Sequence, residues 1–185
     1  MRQINSIIGI DPGVKGGIAL YRSGRATVYR MPEDLNRLKD LLKQEKELGE
    51  TIVFIEKLSV RPDDVTSEDG AYNMGKLYRI QKMMANFEQL KAIVSVCDIP
   101  YILVHPMKWQ NKLELRTKGE KEEKRERKNR YKEVAQQYYP YIKTTLWNAD
   151  ALLIMHFGRY MLEHCPMWIK QNIPTSVQPN LFDND

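Results

Sequence analysis

The chain has 185 residues and a mass of 21.8 kDa, with 42% hydrophobic and 29% charged residues, which fits one soluble globular domain with a real core. No apolar run approaches bilayer-spanning length, and the polar start MRQINS leads straight into a strand-like run without an export signal, so the expectation is a cytoplasmic protein with no membrane partner. The net charge is +5, and its excess is local: residues 111–132 hold 10 Lys/Arg against 5 Asp/Glu, while the remainder holds 19 against 19. That is the pattern of a polyanion-binding surface, with a solvated charged helix as the plainer alternative.

In chain order, Ser6–Ile10 is a β-branched run without alternation, and therefore a strand buried on both faces. It ends in Asp11, then turns through Pro12-Gly13. Gly17–Tyr21 is its hairpin partner and Ala26–Arg30 a third short strand. Met31-Pro32-Glu33-Asp34 reads as a helix start, with Pro near the first position and acids in the first turn, ahead of the stripe Leu35, Leu38, Leu41 and Leu42. Thr51–Lys57 is a second β-branched strand ending in a carboxylate, Glu56. The polar segment Leu58–Gly70 reads as a mobile loop at the same sheet edge. A long helix over about Ala71–Val96 carries Met74, Leu77, Met84, Phe87, Leu90 and Val94 on one stripe. Tyr78, Ile80 and Met83 widen that stripe beyond what one core face needs, which favours a second subunit against it.

Pro100–His105 is the next strand, followed by Met107-Lys108-Trp109-Gln110 and a basic helix over about Glu120–Tyr139. The helix Asn148–Leu162 is apolar on most faces and must pack into the sheet, and residues 170–185 read as a loose tail. The expected division is a domain over 1–168 and a C-terminal tail over 169–185. Cys97 and Cys165 lie far apart in apolar neighbourhoods, and with three scattered histidines they read as reduced core thiols rather than zinc ligands.

This order predicts an α/β fold, a five-stranded mixed sheet with helices on both faces, in which a right-handed crossover brings the first strand beside the fourth. Asp11 and Glu56 then stand at adjacent strand ends, within reach of one ion. Asp150, in the first turn of the last long helix, is the third acid of an otherwise apolar setting. A buried carboxylate needs a partner, and for these three a divalent metal is the economical one, although Asp-Pro-Gly alone also reads as a plain turn and Asp150 alone as a helix N-terminal charge. Gly13, Gly16 and Gly17 leave open backbone that suits an approaching phosphate.

The stretches IIGIDPGVKGGIAL, VFIEKLSV and NADALLIMHFG resemble the three acidic motifs of the RuvC-like Holliday junction resolvases of the ribonuclease H-like superfamily, and HPMKWQNKL with its following Lys/Glu-rich helix is similar to phage and bacterial members. The likeness covers about residues 5–160. It implies that Asp11, Glu56 and Asp150 are the catalytic, metal-holding acids, with up to two Mg²⁺ ions per site and Mn²⁺ able to substitute. It also implies a homodimer that hydrolyses phosphodiesters of branched DNA, four-way junctions above all. Lys121, Lys124, Arg125 and Lys128 would hold phosphates, with Lys76 and Arg79 facing the same groove and Lys108 a further nucleic-acid-binding candidate. Other branched DNA, an RNA–DNA hybrid, or junction binding without cleavage stand as alternatives. Relatives carry another aspartate three or four residues before the last one, where this chain has Trp147 and Leu146. Asn148 is the nearby auxiliary candidate, with helix N-cap as its more ordinary role.

Overall fold

The computed structural model describes residues 4–61, 64–67, 71–116 and 123–174. Five strands, β1 (Ser6–Ile10), β2 (Gly17–Arg22), β3 (Arg25–Arg30), β4 (Thr51–Glu56) and β5 (Tyr101–Val104), form one mixed sheet in the order β3-β2-β1-β4-β5. β1 runs antiparallel to β2 and parallel to β4, with Ile10 opposite Ile55. The first strand therefore lies beside the fourth, as expected. Ser23 and Gly24 both take positive φ, 49° and 80°, which fits the two-residue turn between β2 and β3 to the sheet's twist.

Successive strand residues feed two separate cores, which explains why β1 and β4 show no polar alternation. Ile7, Ala19, Ile52, Phe54 and Ile102 join the core under α5 (Ala149–His164), whereas Ile8, Ile10, Ile18, Val53 and Ile55 join the core under α1 (Leu35–Glu47) and α2 (Met74–Val96). α5 is the central element of its layer, with ten of its residues buried. It lies so close to β1 that a Cβ added at Gly9 would stand 2.5 Å from the Ala151 carbonyl oxygen. Gly158 is equally constrained, since a Cβ there would meet the Phe54 ring at 2.4 Å.

Several expected boundaries move. α1 begins at Leu35, because the Asp34 carboxylate accepts the Asn36 N–H and caps the helix; Pro32 and Glu33 precede it and its first turn holds no acid. α2 begins at Met74 with Asn73 as cap, and only Phe87, Leu90 and Val94 of its apolar stripe are buried. A helix absent from the sequence reading, α3 (Pro106–Lys112), follows β5, with Pro106 in its first turn. The basic helix, α4 (Lys124–Tyr138), is described from Lys124 onward. The reading of 169–185 as a loose tail needs correction over its described part, because α6 (Pro166–Asn172) buries Ile169 and the chain then buries Ile173. Among the described residues no helix is long and apolar enough to cross a membrane.

Candidate active site

Sheet pairing sets two of the three acids. Asp11 follows the last residue of β1 and Glu56 is the last residue of β4; because these strands are parallel and in register, both carboxylates emerge at one sheet edge. α5 supplies the third from its first turn, Asp150, which is only 4% exposed. Asp11 accepts the Gly13 N–H at 3.3 Å, and its backbone N–H bonds the Gly17 carbonyl at 3.0 Å, which closes the Asp-Pro-Gly loop. A Cβ at Gly16 would stand 2.9 Å from the Asp11 carboxyl carbon, so the loop must carry glycine there.

The acids act on one another. Burial, and after it the Asp150 charge, raises the Asp11 carboxyl above its ordinary range, against opposing pulls from the Gly13 N–H and the Lys128 ammonium. Glu56 is pushed up to about 7, by burial first and then by Asp11 and Asp150, while the Trp109 hydrogen bond and Lys128 pull it back. A cluster of desolvated carboxylates that resists ionisation is a site short of positive charge.

Part of that charge comes from α4, whose Lys128 ammonium donates to Asp150 Oδ2. Asp150 Oδ1 is buried, and among the described residues nothing donates to it. An unspent carboxylate oxygen beside two further acids is the donor chemistry that a hard divalent cation takes, so the residues fit such an ion. Among the described residues, however, no three Asp, Glu, His or Cys side chains already stand in an arrangement that holds one.

The other expected contacts divide. Lys124 and Arg125 are exposed in the first turn of α4, beside the acids' lysine, while Lys121 lies outside the described residues. Lys76 donates to the Thr66 carbonyl at 2.7 Å and ties a loop to α2. Arg79 is exposed on α2, and Lys108 is exposed on α3 with its ammonium 4.1 Å from the Trp168 ring centroid. Asn148 precedes α5 but makes no side-chain cap bond to it: its Oδ1 accepts the Thr145 N–H at 2.8 Å and its amide donates to the Lys143 carbonyl, so it fastens the loop that leads into α5.

Trp109 is the site residue that sequence reasoning missed. It is fully buried on α3 and its indole N–H donates to Glu56 Oε1 at 3.2 Å, holding that carboxylate at the strand end. The signal in the sequence was a lone tryptophan just after a proline, at the foot of a strand neighbouring Glu56. A groove of about 790 Å³ between β3 and α1, lined by Tyr29, Arg30, Arg37 and Asp40 among others, carries none of the three acids.

No family sequence model matches this chain, and no curated protein matches it either. Its structure does find neighbours. RuvC from Thermus thermophilus superimposes with a TM-score of 0.51 at 13% sequence identity, over 85% of this chain and 95% of that one. The chain has the RuvC fold. A structure described as T. thermophilus RuvC in complex with Holliday junction substrate matches with a TM-score of 0.50 at 12% identity, over 87% of this chain and 96% of that one. The RuvC fold is ribonuclease H-like, and the five-stranded mixed sheet with helices on both faces is its frame.

Proposed function

We propose that this protein is a divalent-metal-dependent, structure-selective endonuclease that resolves four-way DNA junctions by phosphodiester hydrolysis. The observation that carries the reading is the gathering of Asp11, Glu56 and Asp150 at one sheet edge, with their coupled charges and the orphaned Asp150 Oδ1. Support for the substrate class comes from the RuvC fold, from the neighbour bound to a Holliday junction, and from the local basic excess.

Asp11, Glu56 and Asp150 would hold Mg²⁺, or Mn²⁺ in its place, up to two ions per site. Such an ion, when bound, polarises the phosphodiester and lowers the pKa of the attacking water. The side chains do the positioning. Trp109 fixes Glu56, and the Gly13–Gly17 loop fixes Asp11, with Val14 and Lys15 exposed at its tip and Gly16 and Gly17 buried. Lys128 pairs with Asp150, and where that carboxylate held a cation, Lys128 would be free to take a phosphate oxygen. Lys124 and Arg125 continue that cationic edge, and Lys121 stands three residues before Lys124 in sequence. Two copies of the chain, joined through α2, would set two such sites against two strands of one junction.

The test is cleavage of a labelled four-way junction and a matched linear duplex in Mg²⁺ or EDTA, for the wild type and for Asp11→Asn, Glu56→Gln and Asp150→Asn. Each variant should lose about a hundredfold or more of the cleavage rate while keeping junction affinity. Cleavage that persists in EDTA overturns the metal, and a variant that cuts like the wild type removes its residue from the site. Junction binding without cleavage at saturating Mn²⁺ makes this a binding protein, and preferential cutting of a hybrid or a flap moves the substrate within the same chemistry.

A further inference from the structure

On the β2–β3 side of the acids, one cation is held in place with no charge partner among the described residues. Arg30 ends β3 and stands opposite Gly17 in the sheet register. Gly17 in turn lies under the Trp147 indole, so closely that an added Cβ would stand 3.0 Å from ring atom Cε3. The Arg30 guanidinium carbon sits 4.8 Å from the centroid of the same ring. Gly17 and Arg30 thus share the Trp147 indole in one cluster. It stands directly on the loop that holds Asp11, since Gly17 is the residue whose carbonyl takes the Asp11 N–H.

Arg30 is exposed, and among the described residues no carboxylate pairs with it. Its fork of N–H donors is therefore unspent, while the indole has already restricted the side chain's rotamers. A guanidinium oriented in advance loses less entropy when it binds, and its planar fork matches two phosphate oxygens. The acids create the need for it. A phosphodiester strand approaching three carboxylates meets repulsion, and Lys128 from α4 offsets it at Asp150 alone. Among the described residues, Arg30 is a cation preset by an aromatic ring, without a carboxylate partner, beside the Asp11 loop.

We propose that Arg30, held against the Trp147 ring, is a phosphate clamp for the nucleic-acid strand that enters the carboxylate site, a proposal that rests on the nuclease reading above. Trp147 would then contribute no metal ligand at its place three residues before Asp150; it positions the arginine. The clamp acts on the sugar–phosphate backbone and reads no base.

The test measures affinity for a fluorescent four-way junction and for a linear duplex across a salt series, with cleavage rate and thermal midpoint beside it. Arg30→Ala should bind both about tenfold more weakly and lower the slope of log K against log salt by about 1, at an unchanged midpoint. Arg30→Gln keeps a planar group over the indole and should lose the same slope, whereas Arg30→Lys should keep it. Trp147→Phe should retain most of the affinity, and Trp147→Leu should weaken binding while the slope stays that of a protein that still has Arg30. If the wild type binds and cuts while Arg30→Ala and Arg30→Gln match its affinity and slope, Arg30 merely packs on the indole and the clamp is wrong. A wild type that binds neither DNA overturns the nuclease reading, and the clamp with it.

Discussion

At the scale of single residues, Glu56 ties the fold to the chemistry. Its carboxyl is raised from 4.5 to about 7, so the folded protein holds that proton more tightly than the unfolded chain does. For an acid with a raised pKa, stability falls as pH climbs from about 4.5 to about 7 and stays reduced above that window. Asp11 is raised from 3.8 and acts in the same direction. Metal-free Glu56→Gln should therefore be more stable than the wild type at pH 8, by about 1 kcal/mol once solvent screening is allowed for. The advantage should shrink towards zero below pH 4.5, where both states of the wild type hold the proton. Thermal midpoints in EDTA across this range measure it directly. Saturating Mg²⁺ should reverse the order at pH 8, because an ion that binds only the native wild type stabilises it by mass action. A Glu56→Gln protein that is less stable at pH 8 without metal would mean that the fold already compensates this charge.

At the scale of elements, α5 decides whether the three acids meet, and Gly9 decides where α5 lies. A methyl at Gly9 would stand 2.4 Å from the Met155 backbone nitrogen and 2.5 Å from the Ala151 carbonyl oxygen, and backbone on both sides leaves no flexible atom to give way. Gly9→Ala should cost about 3 kcal/mol, read as a lowered midpoint in denaturant, and should cut cleavage further by lifting Asp150 away from Asp11. A midpoint within error of the wild type would show that α5 tolerates a wider separation than its packing suggests. This division between local and tertiary cause also explains what the sequence could reveal. β1, β4 and α5 were legible because elements buried on several faces write continuous apolar runs, and Asp11, Glu56 and Asp150 were legible because each interrupts or ends such a run. The Trp109 bond to Glu56, the Asn148 tie to residues 143–145 and the Lys128–Asp150 pair were not legible. Each joins residues of different elements, or bends a side chain back onto a loop, and leaves no periodic trace. α3 stayed hidden for a related reason: seven residues are too few to show a helical period.

At the scale of the whole molecule, the unbalanced feature is α2. Its 23 residues span about 35 Å, whereas a six-residue strand spans about 20 Å, so the helix outruns the sheet that it covers. The overhang is its N-terminal half. Phe87, Leu90 and Val94 reach the core, but Met74 and Tyr78, one turn apart on the same side, are 70% and 67% exposed, and Leu77, Ile80, Met83 and Met84 are only half-buried. A second copy meeting this stretch about a two-fold axis would cover it with the same residues, and it would supply the second active site that symmetrical junction cutting requires. Sedimentation at micromolar concentration, without DNA, should therefore give twice the 21.8 kDa chain mass. The double variant Met74→Glu, Tyr78→Glu places like charges across that axis and should sediment as a monomer with an unchanged circular dichroism spectrum, since neither side chain contributes to the core. Under the proposed function, cutting of the two opposed junction strands should become uncoupled in this variant, so that singly nicked junctions accumulate. A wild type that is monomeric both alone and on junction DNA would exclude the two-fold arrangement. A double variant that stays dimeric would move the interface off α2.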